Sequence, residues 1–162
     1  MFQTFVEELK KYDESVHRLY SPASDSSINA AESKLQIELP AEYRAFLSRW
    51  NGGLLFAKEF YDILIWSIDD ELTSPPREYD CEVVRMNDTL NREHNHPRSL
   101  LAIASYSDGN LLCLDMSRQG RPVLWLRNEE RIEQEWDRLT DWLTHEMEEG
   151  ATLYDYHGDE RD

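Results

Sequence analysis

The stretch SINAAESKLQIELPAEYRAFLSRWNGG, residues 27–53, decides how this chain is read. Ile28, Ala31 and Leu35 recur at i, i+3 and i+7, one face of a helix. Ser27, or Ser26 before it, stands where a cap would accept hydrogen bonds from the orphan N–H groups of that first turn. Pro40 cannot continue a helix, but its fixed φ suits the start of a second one. Tyr43, Phe46, Leu47 and Trp50 then fall at i, i+3, i+4 and i+7, a wide apolar stripe with Arg44, Ser48 and Arg49 on the other side. Asn51-Gly52-Gly53 reads as the stop, because glycine takes the left-handed C′ conformation without a Cβ clash. Periodicity alone makes this a helical hairpin that builds a core.

Beyond Gly53 the period changes. LLFAKEF and YDILIWSI carry β-branched and aromatic residues in short runs, the mark of strands. Asp69-Asp70-Glu71 is an acidic turn, and Ser74-Pro75-Pro76 breaks regular structure. Residues 78–91 admit a helix through Cys81, Val83, Val84, Met86 and Leu90. A polar loop over 93–98 follows. Residues 100–104, 111–115 and 122–126 read as three strands of an antiparallel meander, with turns at 107–110 and 117–120. Asn128 is then a candidate N-cap, with Glu129 and Glu130 set against the helix dipole. The helix expected there carries Ile132, Trp136, Leu139, Leu143 and Met147 on one face and stops at Gly150. In the other direction, Phe2, Phe5, Val6, Leu9, Tyr12, Val16 and Leu19 predict a first helix over residues 2–20. The expected architecture is one α+β domain over residues 1–150, helices packed on an antiparallel sheet, and an acidic tail over 151–162 free to fray.

Composition narrows the function classes. The 162 residues include 33 acids against 17 lysines and arginines, a net charge of −16. Such a chain is repelled by nucleic-acid phosphates and anionic lipid and is drawn to basic partners. No apolar run approaches a membrane span, and the acidic amphipathic N-terminus lacks a signal-peptide pattern. Cys81 and Cys113 read as reduced, buried thiols of a cytoplasmic protein.

The hairpin also carries a resemblance. Ile28, Ala31 and Glu32, then Leu39, Pro40, Tyr43, Arg44, Phe46 and Leu47, then Asn51, Gly52 and Gly53 form a pattern that resembles the SUKH (SMI/KNR-like) superfamily. Asp108-Gly109-Asn110-Leu111-Leu112-Cys113-Leu114-Asp115 looks like that family's second hallmark, a turn leading into a strand that ends in Leu-Asp. The resemblance spans about residues 20 to 145 of the chain. It implies a SUKH-like α+β fold. It also implies one of two roles: an immunity protein that neutralises a cognate polymorphic toxin, or an intracellular scaffold or regulator as in fungal members.

Chemistry-bearing motifs are few. His94-x-His96, with Glu93 and Asp88 near, is the only histidine pair and could hold zinc, but no third ligand stands at a recognised spacing. No G-x-S-x-G elbow, phosphate loop or dinucleotide fingerprint occurs. No catalytic residue, metal or cofactor is therefore assigned. The partner expected is the C-terminal domain of a toxin, a nuclease whose basic groove an acidic protein would occlude, bound by a monomer. Thirteen acids and three arginines fall in residues 129–162. The contact residues expected are Glu59, Asp62, Trp66, Asp69, Asp70, Glu71, Asp108 and Asp115, with Tyr43 and Phe46 kept for the core. Trp50, Trp136 and Trp142 lie on helical apolar faces, while Trp66 and Trp125 could face either way.

Overall fold

In the computed structural model the described residues are 1–58, 61–69, 75, 79 and 81–162. The expected contacts Glu59, Asp70 and Glu71 lie outside them. The elements in order are α1 (Gln3–Leu9), β1 (Arg18–Leu19), α2 (Asp25–Leu35), α3 (Ala41–Leu47), β2 (Gly53–Lys58), β3 (Tyr61–Ile65), α4 (Val83–Glu93), β4 (Leu100–Tyr106), β5 (Leu111–Asp115), β6 (Arg121–Leu126), β7 (Arg131–Glu135) and α5 (Leu139–Leu153). The strands form one antiparallel sheet in chain order, β1 to β7. This is the α+β class that the sequence predicts.

The hairpin of α2 and α3 holds for reasons its motif residues make plain. Ile28, Ala31, Tyr43, Phe46 and Leu47 are buried. The Glu32 carboxylate accepts the Leu39 N–H at 2.8 Å and pairs with Arg44, so one acid joins the two helices and the proline corner between them. The cap is Ser24, not Ser26 or Ser27: its Oγ accepts the Ser27 N–H at 3.1 Å. The glycines do not cap α3 either, which ends at Leu47. They are required by close approach. A Cβ on Gly52 (φ +85°) would lie 2.5 Å from the Ile65 carbonyl oxygen, and one on Gly53 (φ +139°) 2.4 Å from that of Arg18. Asn51 beside them is buried and accepts the Ile68 N–H at 2.8 Å, tying the hairpin to the end of β3.

Two expected helices are shorter than their apolar spacing suggests. The first stops at Leu9, because the chain beyond finds partners elsewhere. Asp13 N–H donates to the Tyr156 carbonyl (2.8 Å), and Val16 O accepts the Ala57 N–H (2.8 Å). Tyr12 and Val16 are buried there without a helix. The last helix begins at Leu139, and the residues expected to open it form edge strand β7, all five of them exposed. Pairing with β6 outweighs a helical spacing whose first member, Ile132, stays 37% exposed. The N-terminus of α5 is capped from α3: Glu42 accepts the Leu139 N–H at 3.0 Å and the Thr140 N–H at 3.3 Å. The helix does not stop at Gly150. That glycine lets α5 press on the ring of Phe56, 2.1 Å from where a Cβ would stand.

All five residues of β5 are buried, so both of its faces are covered. Cys113 lies against His96, which follows α4; Leu114, on the other face, lines a hollow with Tyr43 and Leu139. Cys81 is only half-buried, against expectation; both cysteines are free thiols. Beneath α4, buried Asn87 donates to the Ala102 carbonyl (2.7 Å) and accepts the Ala102 N–H (2.8 Å), pairing backbone groups at a bulge of β4. A second bulge, in β2, sets Phe56 at φ +49°, and its N–H is taken by Nδ1 of His17 at 3.1 Å.

Candidate functional site

Antiparallel pairing in chain order puts the β2–β3, β4–β5 and β6–β7 turns at one end of the sheet. The register confirms it: Ile63 faces Tyr106, and Leu111 faces Trp125. Asp62 and Asp108 therefore share that end. Asp69 and Asp115 lie at the other, where Leu100 faces Asp115. The expected contact set is thus split along the length of the strands.

Two of its members are structural. Trp66 is 1% exposed, and its indole N–H donates to Ser105 Oγ at 3.2 Å, so it belongs to the core rather than to an interface. Asp115 is buried and closes a 3-10 turn over Met116–Arg118, accepting from Ser117 N–H (3.1 Å) and Oγ (2.6 Å) and from Arg118 Nε (2.9 Å). Burial works to raise its pKa, but the Ser117 and Arg118 contacts outweigh that and hold it below the ordinary carboxylate range. Half-buried Asp69 accepts from Asn51 Nδ2 at 3.1 Å. Asp62 is half-buried too, and burial raises its pKa. Asp108 is exposed and shapes its own turn, accepting the Asn110 N–H at 3.0 Å across Gly109 (φ +87°).

At the turn end a recess of about 340 Å³ opens between three connections. The α4–β4 link gives it His94, Asn95 and His96; the β4–β5 turn gives Asp108, Gly109 and Asn110; the β6–β7 turn gives Arg127, Asn128 and Glu130. Leu90 and Trp125 complete it. Trp125 is half-buried and meets the His96 ring edge-on, centroids 6.0 Å apart. His96 is 6% exposed, not the solvated loop residue its polar surroundings suggest, and its Nε2 lies 2.8 Å from the Leu100 carbonyl oxygen. A carbonyl only accepts, so Nε2 carries the proton and Nδ1 of the neutral ring is a bare acceptor. Burial lowers the pKa of His96, the Leu100 bond opposing and Arg127 assisting. With Nε2 engaged, the ring has one nitrogen to offer beside His94, too few donors for a metal ion. Among the described residues no three His, Cys, Asp or Glu side chains are grouped to hold a metal ion.

This recess is the best candidate site because, although Asp108 and Asn110 hold each other, four of its polar side chains are left unspent. Among the described residues the side chains of Arg127, Glu130, His94 and Asn128 have no hydrogen-bond or ion-pair partner. The hollow of about 320 Å³ at the N-terminus of α3 differs. There Arg118 and Arg121 are held by Glu135 at 2.7 and 3.2 Å. Sequence reasoning named Asp108, the pair His94 and His96, and Trp125 without joining the three. The signal that would have joined them is the meander itself, whose alternate hairpins must turn at one end.

The frame is thus an antiparallel sheet flanked by helices, with a polar recess among its turns. The comparisons with known proteins give that frame a family. The family model for the SMI1 / KNR4 family (SUKH-1) matches residues 22–145, and the chain belongs to that family. It is similar to an SPbeta prophage-derived uncharacterized protein, YokK, of Bacillus subtilis (strain 168). The two are 24% identical over 144 residues, with 76% of this chain and 72% of that protein covered. A crystal structure of a protein from Pseudomonas syringae pv. tomato superposes with a TM-score of 0.62 at 16% identity, over 88% of this chain and 95% of that one. That likeness shows the shared fold. Among the described residues no helix is long and apolar enough to cross a membrane.

Proposed function

We propose that this chain is a non-enzymatic immunity protein that binds and neutralises the C-terminal domain of a cognate toxin in the cytoplasm. The observation that carries the reading is the family match over residues 22–145, since that family includes immunity proteins. The net charge of −16 supports a basic target such as a nuclease. Complementary charge of this kind mainly speeds association, while buried anchors supply affinity. The contacts proposed are Asp62 and Asp108 at the turn end, with Asp69 at the opposite end and Glu59, Asp70 and Glu71 beside them in sequence. The protein acts as a monomer and occludes the toxin's nucleic-acid groove. The alternative, a regulatory scaffold of the same family, has no separate observation in its favour.

The experiment is an affinity capture of the tagged chain from its native host at low and high salt, read by mass spectrometry. Stoichiometric retention of one multidomain toxin is expected. If the toxin is expressed and no such partner is retained, the immunity reading fails. Occlusion is tested separately: toxin bound to this protein must lose its nucleic-acid substrate, and unchanged substrate binding refutes that version.

A further inference from the structure

The recess at the turn end has a chemistry that selects an occupant. Four of its features point the same way. It is concave and, at about 340 Å³, at the small end of the roughly 300 to 1,000 Å³ typical of ligand pockets, with room for a large side chain. One wall is the half-buried ring of Trp125. Its acceptors outnumber its charged donors: the carboxylates of Asp108 and Glu130, and the bare Nδ1 of a histidine nine-tenths buried. Its one formal cation, Arg127, is exposed and has no partner among the described residues, so it is free to swing aside.

An anion would meet two carboxylates and the field of a chain at −16. A lysine ammonium would find the acids but gains less from an aromatic wall. A guanidinium is planar, stacks on indole and spreads its donors over several acceptors at once. We propose that this recess receives an arginine side chain of the protein partner, stacked on Trp125 and donating to Glu130, Asp108 and Nδ1 of His96. This rests on the reading that the chain binds a protein, and it adds which surface does so and which residue type it anchors. An exposed basic residue is what a nucleic-acid-binding groove supplies.

The test uses the full chain and a probe in place of the partner. N-acetyl-arginine amide is titrated into isotope-labelled protein, followed by amide and indole N–H resonances, with N-acetyl-lysine amide and N-acetyl-aspartic acid amide in parallel. Saturable shifts confined to Trp125, Asn110, Asn128 and their neighbours are expected for the arginine probe, weaker ones for lysine and none for aspartate. Glu130→Gln, a change at an exposed residue, should weaken the arginine probe about threefold to fivefold, the scale of an exposed ion pair. Arg127→Ala should tighten it. Shifts scattered over all acidic residues, no effect of Glu130→Gln, or weaker arginine binding in Arg127→Ala would each overturn the proposal. A larger response to the aspartate probe would do so as well, and would make the recess an anion site. Failure here leaves the toxin capture untouched, and an empty capture leaves the titration interpretable, so the two readings fail separately.

Discussion

His17 should make the protein lose stability as the pH falls from neutrality, because its ring is held neutral by burial. Its Nδ1 accepts the Phe56 N–H at the β2 bulge, at 3.1 Å, which requires a neutral ring with the proton on Nε2. That Nε2 is buried without a partner, and Tyr12 and Phe56 press edge-on at 4.8 and 4.6 Å. Burial accordingly lowers the pKa from 6.5 to about 4. The folded state thus disfavours protonation. The stabilisation is complete above the unfolded pKa of 6.5 and drains away as pH falls toward about 4. Linkage through those two values removes about 2 kcal/mol at pH 5 and about 3 at pH 4, and partial exposure of the ring trims this to about 1–2 at pH 5. A loss of that size is a large share of the roughly 5–15 kcal/mol that holds a typical domain folded. The assay is urea unfolding of the wild type and His17→Gln from pH 7.5 to 4.5, with a histidine resonance titration. The variant is less stable at pH 7.5, but the gap between the two should close as pH falls. Parallel curves, or a His17 titration midpoint above pH 6, would refute the reasoning.

Three further changes have signs that follow from packing. Gly150→Ala, ordinarily a gain of up to about 1 kcal/mol in a helix interior, should here cost about 1–3, because the new Cβ falls on the Phe56 ring; urea midpoints check this, and Phe56→Leu in the same chain should recover part of the loss. Glu42→Gln weakens the cap on α5 and should cost about 1 kcal/mol, with faster amide exchange confined to the first turn after Leu139. Asn87→Ala strips both partners from the Ala102 backbone groups and should cost about 2–4 kcal/mol in chemical denaturation. Asn87→Asp keeps an acceptor but buries a charge, and should be no less damaging.

The helical hairpin and the three central strands were legible because their side chains alone define their environment. The 3.6-residue stripe of Tyr43, Phe46 and Leu47 and the wholly apolar run of β5 each bury what they advertise. Residues 10–20 and 128–138 were misread for the opposite reason. Their apolar spacing suits a helix, but the backbone partners that decide the matter are supplied from far away: Tyr156 for Asp13, Ala57 for Val16, and β6 for the edge strand. No local pattern contains that information. The contact residues were hardest. An acid beside a strand looks the same whether it holds its turn from a buried position, as Asp115 does, or from an exposed one, as Asp108 does. The tryptophan of a strand looks the same whether buried like Trp66 or half-open like Trp125.

Most of the residues through which the family is recognised are ill placed to choose a partner, exposed Asp108 being the exception. Glu32 and Arg44 pair across the hairpin, Gly52 and Gly53 lie against the backbones of β3 and β1, and Asp115 ends β5 by capping a turn. Each is consumed by the fold. For the partner binding proposed above, the side chains left to make contact are those the fold leaves unspent, and among the described residues the turn end holds such a group in Arg127, Glu130, His94 and Asn128. Those four stand on two connections that can be rewritten without touching β5, the hairpin or the motif. Exchanging residues 93–95 and 127–130, with buried His96 kept, for those of a family member with a different partner should transfer binding preference while leaving the unfolding free energy within about 1 kcal/mol of the parent, the range of surface changes. If preference instead stays with the parent's hairpin and β5, the recess is not where specificity lies.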